Sequence, residues 1–416
     1  MNILVIHQQF LRPGEGGGSR FNEFTRMWTE AGHAVTVIAG QTSYSTGTCP
    51  PGYQRRWVNR ECQDGVTVLR TYTADAEMVS TRSRIWSFLS FMLSSTWAAL
   101  ALVRCPDVII ATSPQLVVAV PGILASVRHR RPLVFEVRDL WPESGIALGG
   151  LREGSLTARL LYALEAWAYR RAAAINVLTP AFRDNIVRRG LAPEEKIWLI
   201  PNGADFAIFS RPSMREEVRA QHGWQGKFVL LYAGAHGPAN DLMQLVRAAD
   251  VLRGESEVVF VTAGAGAETP MLTEEIRRRG LTNMHLLGNI PKAEMPRLLA
   301  AADVGLAVLK KCDTFKTVYP NKVFDYMSLR LPVLTTIDGI ARQLVEDAGA
   351  GIYADAEDTD AICHAARWLR DHPHESAEMG ERGYAYVKAT FDRAMLAERY
   401  LDSIETLLAG GRARGS

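Results

Sequence analysis

The sequence predicts an α/β protein of two doubly wound parallel-sheet domains, and three observations predict it. Apolar runs of four to seven residues alternate with longer amphipathic segments, the signature of strand, helix, strand units whose sheet is covered on both faces. The alternation is written twice, on either side of "PNGADFAIFSRPS" at residues 201–213, which has neither a helical nor a strand period. A chain of 416 residues, 47% hydrophobic, is also too long for one ordinary core and suits two.

In the first series the strands are "ILVIH", "AVTVIA", "VTVLR", "DVIIAT", "PLVFEV", "AAINVLT" and "KIWLIP". Their β-branched content fits buried parallel strands. Helices are expected over residues 19–31, 84–104, 116–129, 155–172 and 180–189, where the apolar period is close to 3.6. The second series runs through "KFVLLYAG", "EVVFVTAG", "MHLLGN", "VGLAVL", "LPVLTT" and "AGIY". This gives a Rossmann-like domain at 1–200, a connection at 201–213 and a second Rossmann-like domain at 214–373. A helical segment, 374–416, follows the completed second sheet and is expected to pack back on the first domain.

Composition narrows the function. The net charge of +2 hides an asymmetry, since residues 1–200 hold 22 Lys/Arg against 16 Asp/Glu and the remainder 25 against 29. The basic half suits solvated surface charge, an anionic membrane or a phosphorylated partner, and nucleic-acid binding is not favoured. Five scattered cysteines without metal-ligand spacing point to a reduced, metal-free interior. "MNILVIHQQF" lacks a basic leader and reads as a first strand, which places the protein in the cytoplasm. Between Arg84 and Arg104 lie 19 uncharged residues, open to reading as a core helix, a membrane-surface helix or a span.

Open parallel sheets bind ligands outside the carboxyl ends of their strands. The expected site is therefore the cleft where the two sets of strand ends face each other. After the first strand comes "GEGGGSRF", where Gly16, Gly17 and Gly18 permit close backbone approach and a helix opens toward Arg20. After the second domain's first strand, "YAGAHG" sets Gly234 and Gly237 around His236, and "TAGAGAE" puts Gly264 and Gly266 behind the next strand. A third fingerprint glycine would fall at Thr269, so a nicotinamide dinucleotide fits poorly. "FEVRDLWPES" groups Glu136, Arg138, Asp139 and Glu143 at another strand end. A salt bridge of Arg138 with a neighbouring carboxylate is the structural alternative there.

"YPNKVFDYMSL" begins a helix after Pro320, with Asn321 at its start and Lys322 and Asp325 on one face. An ammonium there suits a diphosphate, and the carboxylate suits the vicinal hydroxyls of a ribose. The alternative is an exposed ion pair worth a few tenths of a kcal/mol. Phe324 and Met327 read as core contacts.

Together the glycine loop, "RDLWPES", "IPNGADFAIF", "YAGAHG", "VTAGAGAE" and "YPNKVFDYMSLRLPVLTT" resemble retaining glycosyltransferases of the GT-B type in family four, particularly bacterial polysaccharide members that use fucosamine or other amino sugars. The resemblance covers nearly the whole chain. It implies two facing domains, a donor site in the second and an acceptor site in the first, and a carboxylate against the donor ribose at Asp325. Two departures stand out. The first of the family's two glutamates is replaced by Thr317, and its arginine and lysine after the second domain's first strand by Ala235 and Asn240. Diphosphate binding then falls to Lys322, with Lys316, Lys310 or Arg20 as helpers.

The expected reaction is retaining transfer of a sugar from a nucleotide diphosphate sugar, UDP-linked, to a hydroxyl acceptor such as a lipid-linked saccharide. No cofactor and no metal are expected, since cations and helix amides stabilise the leaving diphosphate. Lys322, Arg138, Asp139 and Glu143 are the expected catalytic residues. Gly17, Gly18, Arg20, Gly234, His236, Gly237, Gly264, Gly266, Lys316, Asn321, Lys322 and Asp325 are the expected donor contacts. The resemblance and the basic first domain also imply peripheral contact with the inner face of a membrane. A sugar-nucleotide epimerase and a non-catalytic sugar-nucleotide binder share the architecture and are the rival readings.

Overall fold

The computed structural model describes residues 1–15, 17, 20–43, 46–53, 56–76, 81–147, 149–209 and 214–413, the last three and residues 81 and 82 by backbone alone. Gly16, Gly18 and Ser19 of the glycine loop and 210–213 of the expected connection lie outside them.

The first series runs β1 (Asn2–Ile6), α1 (Arg20–Glu30), β2 (Ala34–Gly40), β3 (Val58–Gln63), β4 (Val66–Thr71), α2 (Thr81–Ala101), β5 (Val108–Thr112), α3 (Ala119–His129), β6 (Leu133–Val137), α4 (Glu143–Ala147), α5 (Leu156–Arg171), β7 (Ala174–Val177), α6 (Pro180–Arg188) and β8 (Ile197–Leu199). The second runs α7 (Arg215–His222), β9 (Phe228–Ala233), α8 (Met243–Val251), β10 (Val258–Ala263), α9 (Thr269–Arg279), β11 (Met284–Leu286), α10 (Met295–Ala300), β12 (Val304–Ala307), α11 (Asn321–Ser328), β13 (Val333–Thr335), α12 (Ile340–Asp347), β14 (Gly351–Tyr353), α13 (Thr359–Asp371), α14 (Pro373–Thr390) and α15 (Arg393–Ala413).

The chain divides into two compact units, Met1–Pro201 with Ala394–Ser416, and Asn202–Arg393. The first holds an eight-stranded sheet in the order β3-β4-β2-β1-β5-β6-β7-β8. Every neighbouring pair is parallel except β3 with β4. Sequence reasoning passes over β3 because "VNRECQ" is mostly polar and only partly buried, as suits an edge strand. The second holds a six-stranded parallel sheet in the order β11-β10-β9-β12-β13-β14. In both, the order reverses beside the unit's first strand, β1 between β2 and β5 and β9 between β10 and β12. Ligand crevices of open α/β sheets form at such switch points.

Helix starts follow the sequence. Thr179 accepts the Phe182 amide with Pro180 in the first turn, Ser155 accepts from Ala158, and Asp358 from Ala361.

Two boundaries differ from expectation. Residues 202–209 are built into the second unit, where Ala204 and Phe209 are core and the Ala204 amide and carbonyl bond Phe391 and Arg393. The C-terminal segment also splits. Val387 of α14 belongs to the second unit's core, whereas Leu396, Ala397, Tyr400 and Ile404 of α15 complete the first unit's core. There Tyr400 packs on Phe21, Phe24 and Trp28, whose indole donates to the Ala397 carbonyl at 3.0 Å. Periodicity cannot see this division, because it rests on contacts with residues far back in the chain.

Candidate functional site

In the second unit the carboxyl ends of β9 and β10 turn through glycines that no other residue could replace in place. Gly234 and Gly264 both have φ of +150°. A Cβ at Gly264 would lie 1.9 Å from the Gly234 carbonyl oxygen, and one at Gly266 2.4 Å from the His236 carbonyl oxygen. The two turns thus lock against each other, the His236 amide donating to Ala265 at 3.0 Å and the Glu268 amide to His236 at 2.9 Å. Gly237 has ordinary room and serves as acceptor for the Asn240 amide.

His236 is fully buried. Its Nδ1 lies 3.1 Å from the Thr269 hydroxyl, which also accepts the Gly266 amide at 2.9 Å. Its Nε2 is buried without a partner among the described residues. Burial, and then the Lys322 ammonium, push the imidazole below its ordinary range, so it stands neutral.

Lys322 projects from α11, which starts after Pro320 without a side-chain cap. Its Nζ stands 3.6 Å from the Tyr232 ring centroid. A Cβ at Gly234 would lie 3.1 Å from that Nζ, so the missing side chain makes its room. Among the described residues no carboxylate pairs with it, and Asp325 lies half-buried on the same helix. Burial alone drops its pKa to about 7. An ammonium held on an aromatic face without a carboxylate is unusual, because desolvation disfavours its charge unless an anion arrives.

The first unit's rim is built differently. His7, directly after β1, is buried between Phe10 and Phe21. The Arg138 guanidinium, just past β6, lies 3.0 Å from its Nε2. A guanidinium only donates, so Nε2 accepts and the proton sits on Nδ1, which has no partner. Burial, then Arg138 and Arg70, hold His7 well below the usual range. Beside Arg138, burial raises the Asp139 carboxyl to about 6 against the opposing pull of that guanidinium.

A sequence profile described as "Glycosyl transferase 4-like domain" matches residues 15–203, and one described as "Glycosyl transferases group 1" matches residues 227–372. The chain is a glycosyltransferase. This glycosyltransferase is 25% identical over 418 residues to an Escherichia coli (strain K12) protein named "Putative colanic acid biosynthesis glycosyl transferase WcaI", covering 97% of the chain and 100% of that protein. Its fold is shared with Anabaena Alr3699/HepE solved in complex with UDP-glucose, at TM-score 0.72 and 17% identity over 98% of this chain and 100% of that one. It is shared too with sucrose-phosphate synthase from Thermosynechococcus elongatus, at TM-score 0.77 and 16% identity over 98% and 99%.

Other expected residues of the glycosyltransferase fall elsewhere. Arg20 is buried, 3.3 Å from Glu136, and donates to the Ile200 carbonyl at 2.8 Å and to that of Pro201. Glu136 also accepts from Asn176 at 3.0 Å. Among the described residues, therefore, Glu136 pairs with Arg20 and not with Arg138, whose charge is felt by Asp139. Glu143 meets Arg189 at 3.3 Å and Asn185 at 3.3 Å. Lys316 pairs with Asp313 at 3.0 Å and Asp338 at 3.6 Å, and with Lys310, Tyr353 and Asp355 lines a recess that Lys322 does not share. Gly17 is exposed with φ of +145°, and Asn321 is exposed at the start of α11. Thr317 donates to the Thr314 carbonyl at 2.7 Å within its own turn. Phe324 and Met327 are fully buried core.

Sequence reasoning misses Tyr232 and His7. Tyr232 sits in the apolar run "FVLLYA" and reads as core, yet its hydroxyl lies 2.9 Å from the Ala235 carbonyl and 2.8 Å from the Asn240 side-chain oxygen. Ala235 and Asn240, where the resembling family carries cations, instead fix the ring on which Lys322 rests. His7 was findable, as a titratable residue directly behind the strand at a switch point. Among the described residues no three His, Cys, Asp or Glu side chains gather as a metal site.

Proposed function

We propose that this glycosyltransferase moves a sugar, with retention, from a UDP-linked donor to a hydroxyl of a lipid-linked saccharide during bacterial polysaccharide synthesis at the cytoplasmic face of the membrane. The observation that carries it is Lys322, an ammonium resting on Tyr232 beside Gly234, without an ion pair among the described residues and with its pKa held near 7 by burial. Such a cation gains most when a diphosphate arrives. The relative named for colanic acid biosynthesis supports the polysaccharide reading, and the neighbour solved with UDP-glucose supports the donor class.

In this reading the pyrophosphate lies over the turns after β9 and β10, with the Lys322 ammonium and the first amides of α11 directed at it. As the bond from the sugar to the phosphate oxygen breaks, negative charge grows on the leaving UDP. Fixed donors stabilise that charge more than the bound ground state. The ammonium takes the place of a bound divalent ion. His236 Nε2, buried and unpartnered, is a ready donor or acceptor for the sugar or phosphate, and Asp325 takes the ribose hydroxyls. Retention follows from attack on the face the diphosphate leaves, a phosphate oxygen receiving the acceptor's proton. In the first unit Arg138, Asp139 and Glu143 orient the acceptor, Asp139 exchanging its proton close to neutral pH.

The test is a thermal-shift series with nucleoside diphosphates, then label transfer from the best donor sugar to a lipid-linked acceptor with and without EDTA. UDP raises the melting temperature, since a ligand of the native state alone stabilises it, and transfer survives EDTA. Indifference to every nucleoside diphosphate would defeat the donor reading. EDTA-sensitive transfer restored by magnesium would defeat the metal-free step.

A further inference from the structure

The helix α2 is turned inside out for a surface helix. Its serines face inward, with Ser87, Ser90, Ser94 and Ser95 all buried. Three of the hydroxyls are consumed locally, Ser90 accepting the Ala74 amide at 2.8 Å, Ser94 donating to the Tyr72 carbonyl at 2.6 Å and Ser95 to the Phe91 carbonyl at 2.5 Å. Phe91 is buried with them, but five other large apolar residues face outward. Ile85 is 49% exposed, Trp86 56%, Leu89 36%, Leu93 57% and Trp97 45%. At 100° per residue these five fall within about a third of the helix circumference, so they form one stripe.

Neighbouring elements extend it. Trp57 is 48% exposed, stacks on Tyr72 at 5.6 Å and meets Trp97 edge-on at 6.4 Å. Val127 of α3, 59% exposed, lies on the helix that His129 ties to α2 through the Ala99 carbonyl at 3.0 Å. A single exposed leucine needs no explanation, but a contiguous aromatic and aliphatic face does. Yet among the described residues no helix is long and apolar enough to cross a membrane. The expectation of a span for this segment is therefore set aside, and that of a wholly buried helix holds for one face only.

Charge selects what covers the face. Residues 78–135 hold six arginines and one acidic residue, Asp107. Asp107 is turned away onto the Asn2 amide at 2.7 Å. Arg84, Arg104, Arg128, Arg130 and Arg131 are exposed at the ends of α2 and α3. A protein partner of ordinary composition gains nothing from a rim of one sign, whereas an anionic lipid surface takes both parts, aromatic and aliphatic side chains at the acyl boundary and arginines at the headgroups.

We infer that the α2 face is a docking surface for an anionic lipid bilayer, lying in its interface and not crossing it. The surface gives a lipid-linked acceptor a place to be met, but its test involves neither sugar nor turnover, so it stands or falls apart from the donor reading.

The experiment is co-sedimentation of the full chain with vesicles of phosphatidylcholine alone and of phosphatidylcholine mixed with phosphatidylglycerol. Binding is expected to the mixed vesicles and to weaken with added salt. The double variant Trp86→Glu with Leu93→Glu, both exposed in the fold, should lower that binding about ten-fold or more with an unchanged melting temperature. Arg104→Glu with Arg128→Glu should lower it on mixed vesicles only. No binding to mixed vesicles, equal binding to neutral ones, or full binding by the tryptophan and leucine variant would overturn the inference. So would a wild-type dimer in sedimentation equilibrium that this variant converts to monomer, since a second copy would then cover the face.

Discussion

The two sheets present switch points of one kind and leave different groups unsatisfied there. At the second unit's rim, among the described residues, stand a cation without a carboxylate, interlocked glycine turns and an imidazole with one unpartnered nitrogen. At the first unit's rim a guanidinium is turned onto a histidine, and a carboxyl is held near neutral pH. On the function proposed above, the second unit's rim would receive the anionic donor and the first unit's rim the hydroxyl acceptor. One architecture thus carries two different sets of side chains, and the residues behind the strands, not the strands, make the difference.

The sharpest way to break that comparison is at Arg20, which the sequence offers as a diphosphate ligand and the fold buries against Glu136. Removing one partner of a buried pair leaves an uncompensated charge, so Arg20→Met should cost about 3–5 kcal/mol in denaturant unfolding. UDP affinity of the protein that remains folded should not change. Lost UDP binding at unchanged stability would return Arg20 to the site and blur the line between scaffold and rim.

Next comes Lys322→Ala, expected to lower turnover by about ten-fold or more, each ten-fold being roughly 1.4 kcal/mol of transition-state stabilisation. The melting temperature should not fall, because the ammonium sits at a desolvation cost in the free protein. Near-normal turnover would remove Lys322 from the chemistry and with it the contrast between the rims.

Proton linkage sharpens the same point. The folded pKa of Lys322, about 7, lies below its ordinary value of 10.5. Between those values the unfolded chain binds the proton that the free folded protein has shed, so this group's contribution to stability rises with pH across that window and is least below pH 7. A diphosphate needs the charged form. UDP binding above pH 7 should therefore take up protons, with affinity falling at most about ten-fold per pH unit. Calorimetry in buffers of different ionisation heat measures the uptake. Binding without proton uptake at pH 8 would show that the ammonium is already charged, or is not at the diphosphate.

How much of this was legible beforehand depends on whether local pattern or long-range packing decided it. The strands with apolar runs, the glycine turns and the helix at Lys322 were legible, because turn chemistry and periodicity are local. The antiparallel edge strand β3 was not, since a polar sequence at a sheet edge carries no apolar period. Nor was the parting of α14 from α15, which rests on contacts of Tyr400 with residues far back in the chain. At the site itself, the order of residues named Lys322 and His236 but could not show that Tyr232 carries the ammonium. Ala235 and Asn240 read as losses in the sequence and in the fold are the supports of that ring.

The smallest expected effect is at Lys316, and it tests whether positive charge near the second unit's rim is enough or whether its setting decides. Lys316 is exposed and already committed to Asp313 and Asp338, where screening and side-chain entropy leave little net gain from an ion pair. Its pairing with those two carboxylates raises its pKa, Asp313 contributing most, which is the opposite direction from Lys322. To serve a diphosphate it would have to surrender those partners, whereas among the described residues Lys322 has no carboxylate to surrender. Lys316→Ala should therefore change UDP affinity by less than about two-fold, which is roughly 0.4 kcal/mol, measured beside Lys322→Ala in the same titration. A loss at Lys316 as large as that at Lys322 would mean that the diphosphate is read by the field of the whole rim, and the distinction drawn from burial and pairing would fail.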